Sequence, residues 1–108
     1  MFFVSVEDFF DKVKDIPPLT REEEITLGRQ KSEGCEDAKE ALRQGYLRTV
    51  AAFVRRAPRE IQTLNTVYEC ISALEKAIDR FDFSQDNRFA PQLCTQLRRC
   101  IVKCIANR

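Results

Sequence analysis

Arg88, Arg98, Arg99, Lys103 and Arg108 occupy a stretch in which no acidic side chain follows Asp86. A guanidinium or an ammonium offers donors and a fixed positive charge, so a run of them without carboxylates suits the oxygens of a polyanion. Gln92, Thr95 and Gln96 are interleaved with these cations and add neutral hydrogen-bonding groups. A solvated face is the plain alternative, since charges on an amphipathic helix most often just meet water. Other chemistry is poorly provided for. The chain has no histidine, no glycine-rich phosphate loop, no serine or cysteine beside a base in a known motif, and no carboxylate cluster at metal-binding spacing. An enzyme is therefore not expected, nor a cofactor. The five cysteines, Cys35, Cys70, Cys94, Cys100 and Cys104, form an odd set without a CxxC pair. Free thiols in a reducing cytosol fit that pattern. Cys100 and Cys104 stand four apart and so lie near each other on a helix, where they read as small buried hydrophobes. A zinc site of thiolates alone needs four converging ligands, and no metal is expected.

The elements that carry these residues are helices. The 108 residues include only three glycines and four prolines, are 44% hydrophobic and 32% charged, and are rich in Glu, Arg, Ala and Leu. That composition predicts one soluble all-α domain over 1–108, a compact helical bundle of about five helices. Net charge is only +1, yet residues 1–40 hold eleven acids against six bases and the remainder six acids against twelve bases. The two ends thus carry opposite sign. Met1-Phe2-Phe3-Val4 is apolar but lacks a basic flank and soon meets Glu7 and Asp8, so neither a signal peptide nor a membrane span is predicted.

Punctuation sets the boundaries. Ser5 and Asp8 make a variant capping box for a first helix running to about Lys14, with Val4 positioned to staple against Phe9. Ile16-Pro17-Pro18 interrupts, because proline lacks a donor and pushes its predecessor out of helical geometry. Thr20-Arg21-Glu22-Glu23 is a full capping box for a second helix that reaches Ser32 or Glu33 and stops at Gly34. The acids Glu22, Glu23 and Glu24 are read as capping and dipole residues. A third helix is predicted from near Glu36 to Arg56, closed by Ala57-Pro58. The fourth has the cleanest stripe: Ile61, Leu64, Val67, Ile71, Leu74, Ile78 and Phe81 recur at steps of three and four. On the fifth, Leu93, Cys94, Leu97, Ile101, Cys104 and Ile105 fall on one arc. Gln92, Thr95, Gln96, Arg99 and Lys103 fall on the opposite one.

Two groups of residues then suggest a family. The first is Ile16-Pro17-Pro18-Leu19-Thr20-Arg21-Glu22-Glu23-Glu24, with Leu27, Gly34, Ala38, Leu42, Leu47-Arg48 and Val50. The second is Leu74, Ala77, Ile78, Arg80-Phe81-Asp82, Arg88-Phe89, Leu97-Arg98 and Ile101. In this order and spacing, residues 16–108 resemble domain 2 of bacterial sigma-70 family RNA polymerase sigma factors, together with the region that precedes it. The resemblance implies N-terminal helices over 1–34, and core-binding and DNA-facing helices over 35–108. It implies docking on core RNA polymerase, at the clamp helices of the beta-prime subunit, through Asn65, Tyr68, Glu69 and Ile71; Ser72 shares the same polar flank. It implies contact with promoter DNA, on the non-template strand of the −10 element, through Asn87, Arg88, Phe89, Pro91, Gln92, Thr95, Gln96, Arg99 and Val102. Lys103 extends that basic face. A cytoplasmic location and an anti-sigma factor as a further partner also follow from it. The chain stops at Asn107-Arg108 without a cap and without a helix-turn-helix, so it is expected to be the N-terminal part of a longer protein.

The departures from the family fall on the promoter-melting aromatics. Asn87, Pro91-Gln92 and Thr95-Gln96 stand where the family has aromatic or Thr-Tyr residues, and only Phe89 remains of the stacking set. Each lost stacking platform removes about 1–3 kcal/mol per base, so strand opening by the family's mechanism is expected to be badly weakened. Two functions from different classes therefore stand side by side. One is a sigma-like initiation protein that binds polymerase and the −10 region. The other is a sigma-like interaction module or regulator that binds polymerase or another partner without melting DNA. Phe89 likewise has two readings, as a base-stacking ring or as a core residue tying the loop to the bundle.

Overall fold

The computed structural model describes residues 3–83 and 88–107. Among them are six α-helices and one short 3₁₀ turn: α1 (Val6–Val13), α2 (Arg21–Ser32), α3 (Glu36–Gly45), α4 (Leu47–Arg56), the turn Arg59–Ile61, α5 (Leu64–Arg80) and α6 (Phe89–Ala106). The all-α bundle expected from composition is what forms. No helix is long and apolar enough to cross a membrane among the described residues.

Capping chemistry starts α1 and α2 where the sequence pattern placed them. The Ser5 hydroxyl accepts from the Asp8 amide at 3.0 Å, and the Asp8 carboxylate accepts from the Val4 amide at 3.0 Å. That second bond, aided by Lys12, holds the Asp8 carboxyl below the ordinary carboxylate range. Val4, however, is 74% exposed and forms no staple. Phe3 takes that place: it is buried, with its ring centroid 4.9 Å from that of Phe9 in an edge-to-face pair. The apolar contact to Phe9 thus comes from one residue earlier in the chain than expected. In α2 the Thr20 hydroxyl accepts from Glu23 and the Glu23 carboxylate accepts from the Thr20 amide, completing the box. Gly34 ends α2 at φ 91°, the left-handed conformation that costs glycine nothing. Its amide donates to Lys31 and that of Cys35 to Gln30, which is the Schellman pattern.

The long third helix expected over Glu36–Arg56 is two helices. The ladder breaks at Gly45-Tyr46, where Tyr46 sits at φ −106°, ψ 3° and its carbonyl begins α4. Gly45 is the reason. Leu19 packs against its Cα so closely that a Cβ there would overlap the Leu19 side chain. The Pro17-Pro18 segment thereby crosses the α3–α4 corner.

The core runs through α4 and α5. Leu47, Val50 and Val54 of α4 are fully buried and meet Val67, Leu74 and Ile78 of α5, with Leu93 and Leu97 closing from α6. Each such side chain contributes about 1.5–3 kcal/mol of burial. Helix α1 packs on α4, α2 pairs with α3, and α5 lies along α6. The predicted stripe is buried from Val67 through Phe81, with Thr66, Cys70 and Ala77 added to it, while Leu64 is half-buried and Ile61 lies in the 3₁₀ turn before the helix begins.

Candidate functional site

The described ends of the connection between α5 and α6 are held from α2. Phe81 and Phe83 follow α5 and pack against Phe89, at centroid distances of 5.2 and 5.4 Å, while Tyr46 stacks on Phe89 at 4.9 Å. Gly28 lets α2 approach Phe83 closely enough that any Cβ would overlap the ring. Lys31 donates to the Asp79 carbonyl at 3.3 Å, and its ammonium lies 5.7 Å from the Phe83 centroid.

Glu24 supplies the remaining tie, which inspection of the sequence assigned only to capping within its own helix. Its side chain is 9% exposed, and Oε1 accepts from the Phe89 amide at 3.3 Å and from Arg21 Nη1 at 3.2 Å. Arg88, the N-cap of α6, gives no side-chain cap. A carboxylate from another helix therefore satisfies the first amide of α6 and meets the positive end of its dipole. Tyr46 is buried beside it, its hydroxyl without a hydrogen bond of ordinary geometry. Burial first, and then the Glu24 carboxylate, push that phenol well above its usual range.

With its start fixed, α6 turns one polar edge toward the polar edge of α5. The edges follow the helical repeat: Asn65, Glu69, Ser72, Lys76 and Arg80 on α5, and Gln92, Gln96, Arg99, Lys103 and Asn107 on α6. Between them runs a groove of about 710 Å3, with Ala73, Ala77 and Cys100 as part of its apolar lining. Among the described residues, Lys76, Arg80, Arg98, Arg99 and Lys103 line it against the single carboxylate Glu69, five cations to one anion. None of the five forms an ion pair among the described residues. The other α5 acids point away, with Asp79 bound to Lys39 at 2.8 Å and Glu75 to Arg43 at 3.4 Å on the α3 side. A smaller groove of about 350 Å3 continues past Glu69, Cys100 and Lys103 to Asn65, Thr66 and Asn107.

The residues singled out from sequence divide accordingly. Gln92, Gln96, Arg99 and Lys103 line the main groove, and so do Glu69 and Ser72 of the expected polymerase-docking set. Asn65 lies in the smaller one. Two surfaces expected to serve different partners are the facing walls of one cleft. Lys76 and Arg80 belong to the same charge cluster and were not selected from sequence, although their i, i+4 spacing after Ser72 carried the signal. Tyr68 stands apart: it is 41% exposed and its hydroxyl accepts from the Phe3 amide at 3.4 Å. Arg88 and Thr95 are exposed, and the Thr95 hydroxyl donates to the Pro91 carbonyl one turn back. Phe89 requires a correction. It has no exposed surface and sits inside the aromatic cluster, so its ring is closed to a base and the core reading of it holds. Burying a ring against three others outweighs presenting it to water. Asn87 and Arg108 lie outside the described residues.

No family model matches the chain. It is 28% identical over 109 residues to the RNA polymerase sigma factor SigA of Clostridium acetobutylicum, an alignment that takes in 96% of this chain and 29% of that protein. The chain thus spans somewhat under a third of the length of that relative, and what the similarity supports is a sigma-like region.

Proposed function

We propose that this chain is a sigma-like transcription domain that docks on core RNA polymerase and offers the α5–α6 groove to promoter DNA. The observation that carries the reading is the excess of positive charge in the groove, where, among the described residues, five cations and two glutamine amides face one carboxylate across two fixed helices. Phosphate oxygens match such a wall, and each contact made there displaces counterions, so binding falls steeply with salt. Gln92 and Gln96 are the groups able to read base edges, having both a donor and an acceptor. Similarity to a sigma factor supports polymerase in general as the docking partner. On this proposal the beta-prime clamp helices meet the Asn65–Glu69–Ser72 flank. Among partners, an anti-sigma factor would compete for this same flank.

Phe89 favours a second reading. Its burial removes the last aromatic of the stacking set from the surface, leaving α6 without a platform on which an unpaired base could rest. On this reading the domain binds polymerase and tracks phosphates, and strand separation is left to another protein.

Fluorescence anisotropy with a single-stranded −10 oligonucleotide and a scrambled control, at several salt concentrations, tests the proposal. Preference for the −10 strand supports promoter reading. Equal, salt-sensitive affinity for both supports the second reading, and no binding to either removes nucleic acid from the account. Arg99→Glu with Lys103→Glu is expected to abolish DNA binding while a pull-down on the isolated clamp helices still succeeds. Glu69→Lys is expected to lose the pull-down.

A further inference from the structure

Three of the five thiols converge where α5 meets α6. Cys70 is fully buried, and its S–H donates to Cys100 with the two sulfurs 3.7 Å apart. Cys100 is only partly buried and lines both grooves, whereas Cys70 is fully buried and lines neither. Cys104 lies one turn further along α6 in the smaller groove. Among the described residues no set of three or more acids or thiols is gathered as a metal requires, and the geometry is instead that of two sulfurs in contact with one open side.

We propose that Cys70 and Cys100 are a thiol pair that a hydroperoxide oxidises to a disulfide joining α5 to α6, with Cys100 reacting first. The Cys100 thiolate attacks one peroxide oxygen: an S–O bond forms, the O–O bond breaks, and the departing hydroxide takes a proton to become water. Cys70 then gives up its proton and its sulfur displaces hydroxide from the sulfenic acid. The S–S bond forms, the S–O bond breaks, and a second water leaves. Two thiols lose two electrons and two protons, and hydrogen peroxide gains both.

The order of attack follows from the surroundings. The S–H bond from Cys70 brings Cys100 down to about 7, burial opposing it, with Cys104 and Lys103 helping and Glu69 working against. That same bond, followed by burial, holds Cys70 far above the ordinary thiol range. Once Cys100 carries oxygen its negative charge is gone, and the chief brake on ionising Cys70 goes with it. Cys104 is a poor resolving thiol. Side chains one turn apart on a helix have Cβ atoms about 5–6 Å apart, whereas a disulfide needs about 3.5–4.5 Å. Joining Cys70 to Cys100 asks the sulfurs to close by roughly 1.7 Å to the length of an S–S bond. This inference is independent of nucleic-acid binding.

The test uses the reduced 108-residue chain, treated with stoichiometric hydrogen peroxide, then alkylated, digested and analysed by mass spectrometry. Expected are loss of two of the five thiols and one Cys70–Cys100 linked peptide, with dimedone trapping Cys100 in Cys70→Ser. Oxidation of Cys94 or Cys104 ahead of Cys100, or recovery of Cys100 unmodified while exposed Cys35 is oxidised, overturns the proposal. Pulse alkylation of the unsubstituted chain across pH avoids any folding defect in the variant. Cys100 is expected to reach half-labelling near pH 7, below the roughly 8.5 of an ordinary free thiol. A Cys100 midpoint at that ordinary thiol value overturns the proposal as well. The groups facing Cys100 in that titration are Cys70 and Glu69 of α5, and Lys103 and Cys104 of α6.

Discussion

Replacing Glu24 with alanine removes the acceptor for the first amide of α6 and leaves the Phe89 N–H buried against the aromatic cluster. At 3.3 Å the bond is long for N–H···O, which places its worth at the low end of the range for a charged acceptor, about 1.5 kcal/mol. The carboxylate also meets the positive end of the α6 dipole, adding about 0.5 kcal/mol in this partly enclosed position. Glu24→Ala is therefore expected to cost about 2 kcal/mol, a fall in Tm of roughly 8–12 °C for a domain of this size. Glu24→Gln keeps the side-chain oxygen and the volume and loses the charge, so it is expected to cost less than half as much. Urea denaturation gives the two energies, and amide hydrogen exchange at Phe89 localises the effect, with protection lost in the alanine variant and largely kept in the glutamine one. An alanine variant as stable as the parent, or an unchanged Phe89 exchange rate, refutes the assignment of Glu24 as the cap of α6. Equal losses in both variants would mean that charge, and not the acceptor, holds the contact.

The remaining predictions address the walls of the groove and the contact behind it. Lys76→Glu with Arg80→Glu is expected to weaken binding to single-stranded DNA while leaving it measurable. It is also expected to lower the slope of log K against log salt by about 1.4, at about 0.7 per phosphate contact. An unchanged slope in the anisotropy titration excludes α5 from the binding surface, and stability is expected to stay within about 0.5 kcal/mol of the parent. Gly28→Val drives a side chain into Phe83 and is expected to destabilise by at least about 1–3 kcal/mol in urea. An unaltered midpoint would show that Phe83 does not seat on α2.

Local chemistry made much of this fold readable. Ser5, Thr20 and Gly34 act on amides and carbonyls within five residues of themselves, so their effect is written beside them in the chain. The α5 stripe is legible for the same reason, because one helix face is a property of spacing alone. Contacts between distant segments left no such mark. Glu24 reaches an amide 65 residues away, and nothing near it in sequence distinguishes it from Glu22 or Glu23. Gly45 breaks the expected long helix because Leu19 arrives from another segment, while glycine by itself is tolerated inside helices at about 1 kcal/mol. Phe89 was open to two readings because burial depends on Tyr46, Phe81 and Phe83 together. The groove was half visible: each polar edge follows helical spacing, but that the two edges oppose each other is a matter of how α5 and α6 are packed.

The hold of Glu24 on the first residue of α6 also sets the rotational phase of everything downstream. Successive residues advance about 100° around a helix axis, so a start displaced by a single position would swing Arg99 and Lys103 more than a quarter turn out of the cleft. It would also carry Leu93 and Leu97 out of the core. A glutamate near the beginning of the chain thus aims cations near its end, and a partner gripping α2 would be turning the dial on which way they face.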